Sequence, residues 1–204
     1  MDIDSVQLDG TLDLPAGSKP IVIFAHGSGS SRFSPRNGRV ARVLQKAGFG
    51  TLLFDLLTSK EDQSFENRFD IDILTERLAG ATRWLQGRTA TERACFGYFG
   101  ASTGAAGALR ASIECPQVHA VVSRGGRPDL ARGYLGKVTA PTLLLVGGRD
   151  EDVIRMNQEA LRMLTGVKDK ELVIVPGATH LFEEPGTLEE VARAATDWFL
   201  RFLK

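Results

Sequence analysis

The chain has 204 residues with 25 basic and 25 acidic side chains, so its formal net charge is zero. That balance argues against nucleic-acid and membrane-surface partners, both of which select for an excess of Lys and Arg. An apolar share of 43% beside a charged share of 25% is that of a globular chain, and excludes disordered and fibrous classes. The length is expected to fold as one domain over residues 1–204. No apolar run approaches the roughly 20 residues of a membrane span, and the acidic opening MDIDSVQLDG does not read as a signal peptide. Cys95 and Cys115 have neither disulfide-framework nor metal-ligand spacing, so they are expected to be free thiols in a reducing cytoplasm.

In chain order, an edge strand is expected near Val6–Leu12, followed by parallel strands at Ile21–Ala25, Thr51–Leu56, Ala94–Tyr98, His119–Ser123, Thr142–Gly147 and Glu171–Pro176. Helical spacing lies between them. From Asp70 to Gln86, for example, Ile71, Leu74, Leu78, Ala81 and Leu85 share one face. The last helix opens on Thr187-Leu188-Glu189-Glu190, which reads as a capping box, and carries Val191, Ala194, Ala195, Trp198 and Phe202 as its apolar stripe. Strand–helix alternation of this kind predicts an α/β fold, a mostly parallel sheet with helices on both faces. Ligands of such sheets bind at the carboxyl ends of the strands, so the loops leaving each strand are where chemistry is expected.

Four of those loops carry unusual residues. Gly100-Ala101-Ser102-Thr103-Gly104 is a G-x-S-x-G nucleophile elbow between a strand and a helix of small residues. The sharp turn exposes the Ser102 hydroxyl, and the helix that follows aims free N–H groups at it. Thr103 N–H is the first expected oxyanion donor. Ala25-His26-Gly27-Ser28-Gly29 can bend back toward the elbow and offer Ser28 N–H as the second. His26 is read as a support of that loop. Gly147-Gly148-Arg149-Asp150 and Gly177-Ala178-Thr179-His180 then supply a carboxylate and an imidazole in the chain order Ser, Asp, His. Of the three histidines, His119 precedes its strand and falls at the wrong end of the sheet, which leaves His180 as the base and Asp150 as its orienting acid. Arg124 and Arg127 leave the next strand at the same edge, and Arg36 follows the oxyanion loop. These arginines can orient an anionic substrate, or they can pair with Asp129, Asp55 or Asp152 to fix the loops.

On these four motifs the chain resembles the α/β-hydrolase superfamily, in its dienelactone-hydrolase-like branch. The resemblance implies a cofactor-free and metal-free hydrolase of carboxylic esters, lactones or thioesters, acting on a small molecule. Dienelactone hydrolases proper use a cysteine nucleophile, and Ser102 departs from that pattern in favour of a general carboxylesterase. The connection from Arg124 to Pro141 is short where many relatives insert a lid, so an uncapped site is expected. Two rival readings are weaker. A nucleotide-binding Rossmann protein would use Gly100, Gly104 and Gly107, with Arg124 on a 2′-phosphate, but the G-x-G-x-x-G spacing is absent and Asp150 and His180 would have no role. A catalytically silent scaffold on the same fold is the other, and an intact set of three catalytic residues argues against it.

Overall fold

The apolar runs of the sequence hydrogen-bond into a seven-stranded sheet in the computed structural model, which describes every residue except Asp4, Ser18 and Lys19. Its strands are β3 (Gly10–Asp13), β4 (Ile21–Ala25), β5 (Gly50–Phe54), β6 (Phe96–Ala101), β7 (Val118–Arg124), β8 (Thr142–Gly147) and β9 (Lys170–Val175). They lie in the order β3-β5-β4-β6-β7-β8-β9, and only β3 is antiparallel to its neighbour. β4, β6 and β8 are buried along their whole length, as strands covered on both faces must be.

The two faces carry separate cores. On one, Ile21, Ile23, Tyr98, Val121 and Leu144 pack beneath α2 (Ile71–Gln86), α3 (Thr103–Glu114) and α4 (Glu151–Met163). On the other, Val22, Phe24, Phe99, Val122 and Leu145 pack beneath α1 (Pro35–Lys46) and α5 (Thr187–Phe202). The alternation of odd and even strand residues between these clusters is the period of two that a pleated strand imposes. The helices begin where local chemistry allows. Ser34 Oγ accepts from Asn37 N–H ahead of Pro35, and Asp70 caps α2 by accepting from the N–H groups of Asp72 and Ile73.

Three local expectations are corrected. The edge strand splits: Val6–Gln7 (β2) pairs with Asp2–Ile3 (β1) in a separate two-stranded ribbon, and only Gly10–Asp13 joins the main sheet. The third parallel strand begins at Phe96, two residues later than expected, and runs to Ala101. The capping box at Thr187 does not form. Gly186, at φ 83°, takes the cap position with no side-chain bond, and the Thr187 hydroxyl donates backwards to the Glu184 carbonyl. The segment between β7 and β8 is a 3-10 helical stretch, Pro128–Lys137, packed against α3 and α4, and no lid covers the strand ends among the described residues.

β4 and β6 are adjacent in space while the chain between them visits β5 on the far side. This reversal opens a crevice at their carboxyl ends, where the loops after Ala25 and Ala101 meet.

Candidate active site

Ser102 stands at the tip of β6, one of two non-glycine positions among the described residues, with Phe182, where φ is positive. Its φ is 51° and ψ −121°, a region L-residues avoid, immediately before α3. Two glycines make so sharp a turn possible. A Cβ on Gly100 would lie 2.5 Å from Ala105 Cα, and one on Gly104 would lie 2.4 Å from the Ala25 carbonyl oxygen. The Ser102 carbonyl accepts from Arg127 N–H at 3.0 Å, and its N–H donates to the Arg124 carbonyl at 3.2 Å. The strained residue is thus tied to the next strand while its hydroxyl has no hydrogen-bond partner among the described residues.

His180 and Asp150 reach the same place from the ends of β9 and β8. His180 Nδ1 lies 2.6 Å from Asp150 Oδ2, short enough for a charge-assisted bond. With the Nδ1 proton directed at the carboxylate, Nε2 is left as the basic nitrogen. Asp150 is largely buried (16% exposed), whereas Asp152 is 74% exposed and pairs with Arg155, so of the two it is Asp150 that faces His180. Ser102 and His180 line one cavity of about 260 Å³, together with Gly27, Ser28, Arg36 and Arg124. His119 is the second residue of β7, exposed at the opposite end of the strand.

The oxyanion loop is held by His26. Leu56 N–H donates to His26 Nε2 at 3.1 Å, which places the ring proton on Nδ1, facing the Gly27 carbonyl at 2.9 Å. Burial pushes the His26 pKa below its ordinary value, an effect that the Gly27 bond and the Asp55 and Asp62 charges only partly offset. Gly27 packs directly on Ser102, since a Cβ there would meet Ser102 Cβ at 2.9 Å. The two expected oxyanion donors differ in state. Thr103 is the first residue of α3, so its N–H has no partner within the helix. Ser28 N–H already donates to Thr103 Oγ1 at 2.9 Å, so in the free protein it is not an open donor. Ser28 and Thr103 are brought together, but as partners of each other.

The three arginines separate. Arg127 holds Asp129 with two parallel bonds at 2.9 and 2.8 Å and does not line the cavity, so it fixes its own loop. Arg36 touches Glu183 through one Nη1 contact at 3.2 Å, with its Nε buried and unpartnered. Arg124 is only 6% exposed, has an unpartnered Nε, and its side chain makes no hydrogen bond or ion pair to any described residue. Burial, and then the neighbouring charge of Arg36, lower its pKa to about 10.

A sequence profile of the dienelactone hydrolase family matches residues 8–204. This chain belongs to the dienelactone hydrolase family. A crystal structure of dienelactone hydrolase from Anabaena variabilis is 54% identical and superposes with a TM-score of 0.96, covering 100% of this chain and 95% of that one. Est1E from Butyrivibrio proteoclasticus shares the fold at a TM-score of 0.82, with 17% identity over 98% of this chain and 96% of its own. A Mycobacterium tuberculosis protein that carries phosphoribosyl transferase as a provisional name is 56% identical over 97% of this chain. The chain spans less than half, 44%, of that relative's length. Family and fold agree: the chain has the α/β-hydrolase architecture of its family.

Beyond the residues foreseen from sequence, Gly125 belongs to this family member's site. Its φ is 51°, and a Cβ there would stand 3.1 Å from the His180 carbonyl oxygen and 3.5 Å from Nδ1 of the ring. The Gly125-Gly126 pair just after a strand is the signal that could have found it, but which loop it approaches is not encoded locally. Among the described residues no group of three or more His, Cys, Asp or Glu side chains could hold a metal ion, and no helix is long and apolar enough to cross a membrane.

Proposed function

We infer that the chain is a serine hydrolase of carboxylic esters, lactones or thioesters that works through an acyl-enzyme. The observation that carries this reading is the 2.6 Å Asp150–His180 bond opening on the cavity that also holds the strained Ser102. Ser102 Oγ attacks the carbonyl carbon while His180 Nε2 takes its proton, and Asp150 stabilises the imidazolium. The tetrahedral oxyanion is met by Thr103 N–H and, once it turns from Thr103 Oγ1, by Ser28 N–H. On collapse the C–O or C–S bond breaks and His180 returns the proton to the leaving group. Water, deprotonated by the same imidazole, then releases the acid and restores Ser102.

The substrate is a small molecule, since the cavity is about 260 Å³ and has no lid over it among the described residues. The proposed setting is cytoplasmic, with no nucleic-acid or membrane partner, in keeping with the balanced charge and the two free cysteines. The transferase name of the mycobacterial relative goes with a protein of which this chain covers 44%, and it has no counterpart in the Ser102 cavity. Stopped-flow hydrolysis of 4-nitrophenyl acetate tests the reading. A burst of one nitrophenolate per active site ahead of the steady state is expected, and Ser102→Ala should abolish burst and turnover together. Turnover that persists in Ser102→Ala would refute it.

A further inference from the structure

The sheet ends at β9, and no described strand pairs with its outer side. The carbonyls of Asp169 and Val175 accept from the N–H groups of Thr142 and Gly148 on the β8 side. A strand residue points its N–H and C=O one way and its neighbour the other, so Lys170, Leu172 and Ile174 aim theirs at solvent. An edge of this kind templates a further strand unless charge, proline or a bulge blunts it. Here the blunting is undone: Lys170 Nζ folds back to donate to the Leu164 carbonyl at 2.7 Å, and Ile174 stays 37% exposed. The opposite edge, β3, is four residues long, ends in the exposed Asp13 and has no apolar side chain but Leu12.

Beside β9 the sheet is also uncovered. Glu171 and Val173 floor a groove of about 370 Å³ whose far wall is α5, with Arg193, Asp197 and Arg201 along it. Arg201 bonds Asp169 at 2.8 Å and Trp198 Nε1 reaches the Pro141 carbonyl at 3.5 Å, so α5 runs antiparallel to β9 and ends beside the start of the strand. From Asp169 to Val173 is about 13 Å of strand at roughly 3.3 Å per residue, the rise of about nine helical residues. Counting back from Arg201, Arg193 stands level with Val173 to within one residue. Arg193 is 70% exposed and meets only Asp197, one turn on at 3.8 Å, among the described residues. The Glu171 carboxylate, exposed on the same face, has no hydrogen bond or ion pair among them.

We propose that this edge is a homodimer interface: a second copy of the chain lays its own β9 antiparallel along the first, about a twofold axis through Leu172, and the two seven-stranded sheets become one. That register joins Leu172 to the partner's Leu172 and Lys170 to the partner's Ile174 as hydrogen-bonded pairs, which uses every outward N–H and C=O of the strand. It sets the partner's Glu171 opposite Val173, on the α5 face, where Arg193 overhangs. The contact recurs on the other side of the axis, so one sequence supplies both halves of two ion pairs, as an isologous interface requires. A second copy is the occupant because the charge that Arg193 calls for is carried by β9 itself. The interface lies three strands from the elbow on β6, and the inference stands apart from the esterase reading.

Sedimentation velocity over a series from low to high micromolar protein tests it, with wild type expected to reach twice the 22.1 kDa of one chain. Arg193→Glu and Glu171→Arg should each raise the dimer Kd at least about tenfold, because the axis counts every lost pair and every new repulsion twice. The double variant restores opposite charges and should recover the dimer. Ile174→Pro removes an N–H that points away from β8, where an edge strand tolerates proline, and should leave the chain monomeric. If circular dichroism shows that variant unfolded, hydrogen exchange of wild type takes its place: the Lys170, Leu172 and Ile174 amides should slow as concentration rises. A wild type that stays monomeric throughout overturns the interface. So does a dimer that survives both charge variants, a charge swap that fails to restore one, or edge amides that exchange fast at every concentration.

Discussion

Replacing Arg124 with methionine should make the protein more stable. Arg124 is 6% exposed and its pKa is lowered to about 10 from an ordinary 12.5, first by burial and then by Arg36. At about 1.4 kcal/mol per pKa unit, holding that charge in the fold costs on the order of 3 kcal/mol. The sign follows from the direction of the shift. A base whose folded pKa lies below its unfolded one disfavours the folded state wherever it is protonated in both, so the penalty is complete at neutral pH and fades only above about pH 10. Methionine keeps the length of the side chain and removes the charge. Loss of the 5.8 Å contact with the Phe182 ring takes back roughly 1 kcal/mol. The net expectation is a gain of about 2 kcal/mol, or roughly 4–8 °C in Tm for a chain of this size. Scanning calorimetry at pH 7 measures it. A methionine variant destabilised by 1 kcal/mol or more would refute the reasoning and mark Arg124 as a structural group.

Other expectations concern the machinery around it. Asp150→Asn and His180→Ala should each lower kcat by about 10³-fold or more, whereas Asp152→Asn and His119→Ala should be close to wild type in the same ester assay. His26 is held neutral with a lowered pKa, so the stability it lends is complete above about pH 6.5 and is lost as pH falls through that value toward the lowered one. The urea midpoint of wild type should therefore drop more between pH 7.5 and pH 5 than that of His26→Gln. Equal drops would mean that His26 titrates as it does in the unfolded chain. Gly104→Ala should cost at least about 3 kcal/mol, since its methyl would meet backbone oxygens of Ala25 and His26 at 2.4 and 2.5 Å that have no room to move. Soluble Gly104→Ala with an unchanged Tm would show that the elbow can relax.

Much of the architecture was legible because strand burial writes itself into composition. Ile21–Ala25 and Thr142–Gly147 are apolar along their whole length and were bounded correctly. The start of β6 was misplaced because Ala94 and Cys95, apolar in composition, lie outside the strand, and its last residues Gly100 and Ala101 are small for the sake of α3. The Thr187 capping box failed for a reason of competition. Gly186 reaches φ 83° without strain and takes the cap, which frees the Thr187 hydroxyl to bond Glu184 instead.

At the site, the elbow and the order Ser, Asp, His carry steric and chemical requirements that survive in one dimension, so Ser102, Asp150 and His180 could be singled out. Pairing does not survive in that way. Which arginine finds a carboxylate depends on where Asp129, Asp55 and Glu183 lie in space, and sequence alone left Arg36, Arg124 and Arg127 equivalent. The structure sorts them by partner and leaves the Arg124 side chain with no carboxylate partner among the described residues. The bond from Ser28 N–H to Thr103 Oγ1 is of the same kind, joining residues 75 positions apart in the chain.

The central claim is that Ser102 is a nucleophile activated by His180, and covalent labelling tests it most directly. A fluorophosphonate probe followed by peptide mass spectrometry should place one adduct per chain on the peptide that contains Ser102. Ser102→Ala should take up none, and His180→Ala should label about 10³-fold more slowly. Equal labelling of wild type and Ser102→Ala, or no labelling of wild type at all, would contradict the account.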